Sequence, residues 1–193
     1  MGDREQTKVI EEVAAALDEL NIGYAIGGSV ASSLYGTVRF TRDADITVED
    51  FRGFADGLYE RLKDNFYVSR EAMEEALNSR GSFNAIDLES GFKVDLFIQG
   101  QSEFDRQLLT RSRRVSLGDS AHKPFCVVSP EDVILLKLRW YSQSGCVSDR
   151  QWDDVLGVLA VQGKSLDFEY LQAWSDKLGL REVLERAIVQ SRA

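Results

Sequence analysis

The chain has 193 residues, 44% of them hydrophobic, and a formal net charge of −9 at neutral pH. That length and apolar content supply the core of one large domain, or of a domain with a smaller appendage, and exclude a disordered chain. The acidity, with a pI near 4.7, excludes a whole-molecule attraction to nucleic acid, so any contact with RNA must come from a local basic patch.

The acids are concentrated in the first half: residues 1–100 hold 19 Asp/Glu against 10 Lys/Arg, and residues 101–193 hold 13 of each. Val9, Ile10, Val13, Leu17 and Leu20 recur at helical spacing, which predicts an amphipathic helix over 4–20. Acids every few residues in "VIEEVAAALDEL" fit neither a secretory leader nor a membrane span, so the expected location is the cytoplasm, with no membrane partner. "YAIGG" then reads as a short strand ending in glycines, "VASSLYG" as a short helix stopped by Gly36, and "DADITV" as a strand with one buried face. Residues 50–63 return to a helical pattern, with Phe51, Phe54, Leu58 and Leu62 on one side. "FNAIDLE" and "FKVDLFIQ" flank Ser90 and Gly91, which is turn chemistry between two strands of a hairpin. Arg111 to Arg114, "RSRR", followed by His122 and Lys123, is the best local basic patch; its ordinary reading is a solvated strand or loop edge.

From residue 129 the signal is helical. Ser129 supplies a capping hydroxyl, Pro130 fits the first helical position, and Glu131 and Asp132 suit the first turn. The "VILLKLRWY" behind them is apolar almost all round, which predicts a buried helix. Asp149 and Asp167 are candidate caps of two further helices, and Gly179 closes the latter before "LREVLERAIV". Trp140, Tyr141, Trp152 and Trp174 fall at helical spacings and are expected in the core, while Cys126 and Cys146 match no disulfide or metal pattern and are expected as free thiols. The fold expected is α/β (α+β): a domain with a small mixed sheet flanked by helices over 1–116, joined near residues 117–129 to a helical portion over 117–193 that packs on it.

The stretch "GGSVASSLYGTVRFTRDADITV" carries the chemistry. On a strand over 43–48, Asp43, Asp45 and Thr47 share one face and Ala44, Ile46 and Val48 the other, so two carboxylates stand about 6.5 to 7 Å apart at their Cα atoms. That suits them to converge on a cation, or on a pair of cations about 3.5 to 4 Å apart. Glycines after a strand let the backbone approach a ligand, and the start of the following helix offers unpaired N–H groups to a phosphate, with the Ser29 hydroxyl beside them. Asp95 is a third acid on an apolar strand, which requires a basic neighbour or a place in a site; Asp87 on the preceding strand is a decoy of the same kind. Arg39 and Arg42 suit phosphate contacts or ion pairs with Asp43 and Asp45. Lys137, the odd residue of its helix, either snorkels to water or meets a phosphate. His122 has no needed part in this chemistry.

Gly-Gly-Ser after a strand, thirteen intervening residues, Asp-x-Asp on the next strand and a later strand acid resemble the DNA-polymerase-β-like nucleotidyltransferase superfamily. With "KVDLF" and "SPEDVILLKLRW" downstream, the chain looks most similar to the bacterial abortive-infection and toxin-type nucleotidyltransferases, over roughly residues 20–160. The resemblance implies Asp43, Asp45 and Asp95 as catalytic ligands of two Mg2+ ions, with Mn2+ as an alternative. It implies Gly27, Gly28, Ser29, Arg39, Arg42 and Lys137 as binders of a nucleoside triphosphate. Thr41, Arg150 and Asp153 are cleft candidates, the last two because "RQWD" matches the related "R-x-K-D" pattern with Trp152 replacing the lysine. The implied reaction moves a nucleoside monophosphate to an acceptor hydroxyl with release of pyrophosphate. The acceptor is RNA, in a toxin masked by an antitoxin protein, or a small molecule of the aminoglycoside type; an inactive nucleotide-binding or partner-binding module is the alternative to an enzyme.

Overall fold

The computed structural model describes residues 3–116 and 124–192, so His122 and Lys123 lie outside the described residues, as do positions 117–123 of the expected junction. The chain opens with helix α1 (Asp3–Glu19), strand β1 (Tyr24–Ile26), helix α2 (Gly28–Tyr35) and strand β2 (Asp43–Val48). A 3-10 turn (Arg52–Phe54) leads into α3 (Ala55–Leu62), followed by β3 (Phe66–Val68), α4 (Arg70–Ser79) and the hairpin of β4 (Ser82–Asp87) and β5 (Lys93–Ile98). Helix α5 (Glu103–Thr110), β6 (Arg113–Val115) and β7 (Phe125–Val127) precede four helices: α6 (Pro130–Gln143), α7 (Asp149–Gln162), α8 (Phe168–Lys177) and α9 (Arg181–Gln190).

These elements form two compact units. The first comprises residues 1–27 and 41–127, the second residues 28–40 and 128–193. The later cut falls after Val127, and α2, which lies between β1 and β2 in sequence, belongs with the C-terminal helices. The reason lies in its packing, since α2 lies against α6 and α7. Gly36, just past its end, approaches α7 so closely that a Cβ there would stand 2.7 Å from the Val158 nitrogen and 2.8 Å from the Gly157 carbonyl carbon. Backbone atoms cannot give way, so glycine is required at that crossing.

In the first unit the seven strands form one mixed sheet in the order β3-β4-β5-β2-β1-β7-β6. Strand β2 runs antiparallel to β1 and parallel to β5, pairing Asp43 with Lys93 and Asp45 with Asp95. Alternation follows the sequence pattern: Ala44, Ile46 and Val48 on β2 and Val94, Leu96 and Ile98 on β5 are buried, and the residues between them form the more open face. The core adds Val13 and Leu17 of α1, Leu58 and Leu62 of α3, Met73 of α4 and Phe104 of α5, all buried.

Some local expectations change. Phe54 is 52% exposed rather than facing the core with Leu58 and Leu62, because the helix proper begins only at Ala55 and the tighter preceding turn sends Phe54 outward. Strand β3 and helix α4 carry no clear expectation in the sequence; Ser69 caps α4, its hydroxyl accepting from the Ala72 N–H. Asp87 ends β4 and holds the turn that follows, its carboxylate accepting from the Ser90 N–H at 2.7 Å and from the Ser90 hydroxyl at 2.5 Å. The RSRR run behaves as a solvated edge: Arg113 and Arg114 are exposed on β6, the last strand of the sheet, and Arg114 pairs with Asp18 at 3.2 Å.

In the second unit Ser129 caps α6 as expected, its hydroxyl accepting from the Asp132 N–H and donating to the Asp132 carboxylate. The Tyr170 hydroxyl donates to the other oxygen of Asp132 at 2.7 Å, which ties α8 to the start of α6. Asp167 caps α8 through the Tyr170 N–H, whereas Asp149 lies in the first turn of α7 behind Ser148 and is not its cap. Trp140 is 60% exposed, against expectation: Leu136, Trp140 and Gln143, spaced i, i+4 and i+7, form the outer stripe of α6, while Ile134, Leu138 and Tyr141 take the core face. Trp174 is buried, and Tyr141 stacks with Trp152 at 5.0 Å between ring centroids. Cys126 and Cys146 are free thiols. Among the described residues, no helix is long and apolar enough to cross a membrane.

Candidate active site

The first unit supplies the acids. Because side chains alternate along a strand, Asp43 and Asp45 emerge on the open face of β2, and the parallel register sets Asp95 of β5 directly beside Asp45, one strand spacing of about 4.8 Å away. On the other side of β2 the Gly27 N–H donates to the Asp45 carbonyl at 2.8 Å, which ties the glycine turn to the backbone of the second aspartate. The Thr41 hydroxyl donates to Asp43 Oδ1 at 2.9 Å, and the Gln6 amide holds the Thr41 carbonyl at 2.8 Å, so the segment entering β2 is anchored from α1.

Asp95 has the basic neighbour that a strand acid requires. Lys93, two residues earlier and therefore on the same face, places Nζ 2.6 Å from Asp95 Oδ2. A hydrogen bond to Asp95 holds the lysine above its ordinary pKa, opposed by partial burial and assisted by the charges of Asp95, Asp43 and Asp45. Among the described residues, no three Asp, Glu, His or Cys side chains are gathered tightly enough to hold one metal ion. Asp95 is engaged by Lys93 and Asp43 by Thr41 instead. The donor set nevertheless fits Mg2+ or Mn2+: three carboxylates, hard oxygen ligands, on one face of two paired strands.

The second unit holds most of the expected phosphate binders. Gly28 opens α2 with φ +54°, in the left-handed region, and Ser29 follows in the first turn. Arg39 donates to the Ser29 hydroxyl at 2.6 Å and, through two nitrogens, to both oxygens of Asp154 at 2.7 and 2.9 Å. Lys137 neither snorkels nor stands alone: it is 5% exposed and its Nζ lies 2.8 Å from Asp154 Oδ2. Burial alone would push the Asp154 carboxyl up, but hydrogen bonds and charge from Arg39 and Lys137 outweigh it and hold the group below the ordinary aspartate range.

Asp154 is thus the acid of this cluster, paired with both Arg39 and Lys137. Matching the R-x-K-D pattern selects Arg150 and Asp153 instead, and both are exposed. Helical geometry explains the difference: at about 100° per residue, Asp153 lies about 140° round α7 from buried Val158 and Asp154 only about 40°. The stripe of Asp154, Val155, Val158 and Leu159 was the signal that could have identified it. Arg42, expected at the phosphates, is exposed in the first unit.

The two glycines separate by experiment. Gly28→Ala forces an L-residue into the left-handed region and is expected to cost about 1–2 kcal/mol in thermal unfolding. Gly27→Ala meets only the Asp45 carbonyl oxygen, 3.9 Å from the added Cβ, so stability is retained. Loss of binding of a fluorescent ATP analogue in this second variant would place the phosphate against Gly27; unchanged binding would remove Gly27 from the site.

No family model and no curated protein sequence matches the chain. Solved structures do. The crystal structure of ANT(2'')-Ia in complex with adenylyl-2''-tobramycin is 18% identical with a TM-score of 0.61, covering 92% of this chain and 99% of that one. An antigenic nucleotidyltransferase-like protein from Paracoccidioides brasiliensis is 21% identical with a TM-score of 0.58, over 97% and 94% of the two chains. The lincomycin-bound lincosamide antibiotic adenylyltransferase LnuA is 10% identical with a TM-score of 0.51, over 83% and 98%. The chain has the nucleotidyltransferase fold, an α/β architecture with a mixed sheet, as its Gly-Gly-Ser and strand acids led one to expect.

Proposed function

We propose that the protein transfers a nucleoside monophosphate from a nucleoside triphosphate to the hydroxyl of a small, cationic acceptor. The observation that carries this reading is the register of β2 and β5, which aligns Asp45 with Asp95 and leaves Asp43 on the same face, beside a glycine turn bonded to Asp45. Asp43, Asp45 and Asp95 hold the divalent ions. Bound there, Mg2+ or Mn2+ lowers the pKa of the acceptor hydroxyl and neutralises charge on the phosphates. Gly27, Gly28 and Ser29 present N–H and hydroxyl donors to the outer phosphates, and Arg39 and Lys137 add positive charge that Asp154 orients. The bond from acceptor oxygen to the α-phosphorus forms as the bond to pyrophosphate breaks, pyrophosphate leaves, and the hydroxyl proton passes to water. An NTP donor fits the cytoplasm as the place of action.

Three observations support a small cationic acceptor over RNA. The net charge is −9 with 19 of the 32 acids in residues 1–100, which carry β1 to β5, the exposed basic edge has Arg114 already paired with Asp18, and the similar structures that cover most of the chain include antibiotic-modifying enzymes. Incubation with each labelled NTP, Mg2+ and, in separate arms, aminoglycosides, lincosamides and total RNA tests the proposal. Label on a small cationic acceptor is expected. Label on RNA alone would support the toxin-type reading, with an antitoxin partner to be sought by co-purification, and NTP binding without transfer to any acceptor would support a binding module.

A further inference from the structure

Lys93 has no part in the chemistry above, yet it stands among the three acids. Parallel pairing sets it directly across from Asp43, alternation puts it on the face of Asp95, and its ammonium contacts Asp95 Oδ2 at 2.6 Å. A sheet face carrying three carboxylates within two strands is strongly self-repelling, and a positive charge at this position relieves it locally. The same contact draws Asp95 onto the lysine, so that the three carboxylates are not gathered around a common point.

We propose that Lys93 is the resident counter-ion of the acid face: its ammonium holds Asp95 while no metal is bound, and a divalent ion binds in competition with it. This rests on the metal-binding reading of Asp43, Asp45 and Asp95. A cation entering the acid face must draw Asp95 away from Lys93 and must accept a neighbouring positive charge. Both effects weaken binding of the ion, and neither operates when residue 93 is neutral. Lys93 is therefore a positioning residue that sets the metal concentration at which the acid face fills. The pair is partly exposed, with side-chain exposures of 40% and 20%, so exchange between the two cations needs no unfolding.

The test is Mn2+ binding to the full chain, measured by calorimetry and by the loss of free-ion electron paramagnetic resonance signal, in wild type, Lys93→Met, Lys93→Gln and Asp45→Asn. The expected result is that Asp45→Asn loses binding while both Lys93 variants bind Mn2+ at least about tenfold more tightly than wild type. Thermal melts give a second readout: without metal the Lys93 variants melt below wild type, and saturating Mn2+ raises their midpoint by more than it raises that of wild type. Wild-type binding that is lost in Asp45→Asn but unchanged or weakened in both Lys93 variants overturns this proposal and leaves the metal-binding reading standing. Binding that survives Asp45→Asn overturns that reading itself. Should Lys93→Met fail to fold, Lys93→Gln, which keeps a polar partner for Asp95, carries the comparison.

Discussion

Replacing Asp154 by alanine is expected to lower stability by about 3–5 kcal/mol, because it leaves the ammonium of Lys137 buried and uncompensated and removes the carboxylate that the Arg39 guanidinium grips. Lys137 and Asp154 side chains are only 7% and 4% exposed, so water cannot replace the lost partner. At a denaturant sensitivity of about 1–3 kcal/mol per molar urea, the midpoint should fall by about 1 M or more. Adding Lys137→Met to the alanine variant should restore part of the loss, since it removes the stranded charge, whereas Lys137→Met alone should destabilise; equal, additive losses would mean the pair is not coupled. The linkage has a definite sign. The Asp154 pKa is depressed in the folded chain, so its contribution is fully present above the ordinary aspartate pKa of about 3.9 and is lost as pH falls through the lower folded value. Urea midpoints measured down that acid range should fall more steeply for wild type than for Asp154→Ala, and parallel curves would contradict the assignment.

The second large effect is on activity. Asp45→Asn keeps the shape of β2 and its pairing with β1 and β5 while removing one carboxylate from the face proposed to hold the ions. A bound divalent ion supplies several kcal/mol of transition-state charge stabilisation, and each 1.36 kcal/mol is tenfold in rate. Nucleotidyl transfer should therefore fall by about 10³-fold or more, with far-UV circular dichroism unchanged. A variant that keeps full activity would show that Asp45 holds no ion the reaction needs. Asp87→Asn is the matched control: its carboxylate serves the Ser90 turn, and transfer should be unaffected.

What could be read from the residues depended on how far the deciding contacts lay along the chain. Alternation in "DADITV" and "FKVDLFI" fixes which side chains share a face, and the burial along both strands follows it. The parallel register that puts Asp45 beside Asp95 is a long-range fact that no local pattern contains; the resemblance implied only that the three acids share a site. Lys93 was visible as the residue two before Asp95, but its contact depends on a rotamer that period-two reasoning does not choose. Asp153 and Asp154 show the converse: motif spacing favours the first and helical phase the second, and it is Asp154 that is buried. Strand β3, only three residues long, carries too short an alternation to stand out, and its pairing with β4 supplies what its own sequence does not.

The placement of α2 has a consequence for dissecting the protein. The chain passes from one compact unit to the other after Gly27, after Phe40 and after Val127, so neither unit is a continuous stretch. A fragment beginning at residue 128 would carry α6 to α9 but would lack the helix that lies against α6 and α7, leaving the backbone of Gly157 and Val158 uncovered where Gly36 meets it. The complementary fragment, residues 1–127, would carry α2 with its packing partners removed. Complementation of the two pieces in trans, rather than independent folding of either, is the behaviour this interleaving dictates.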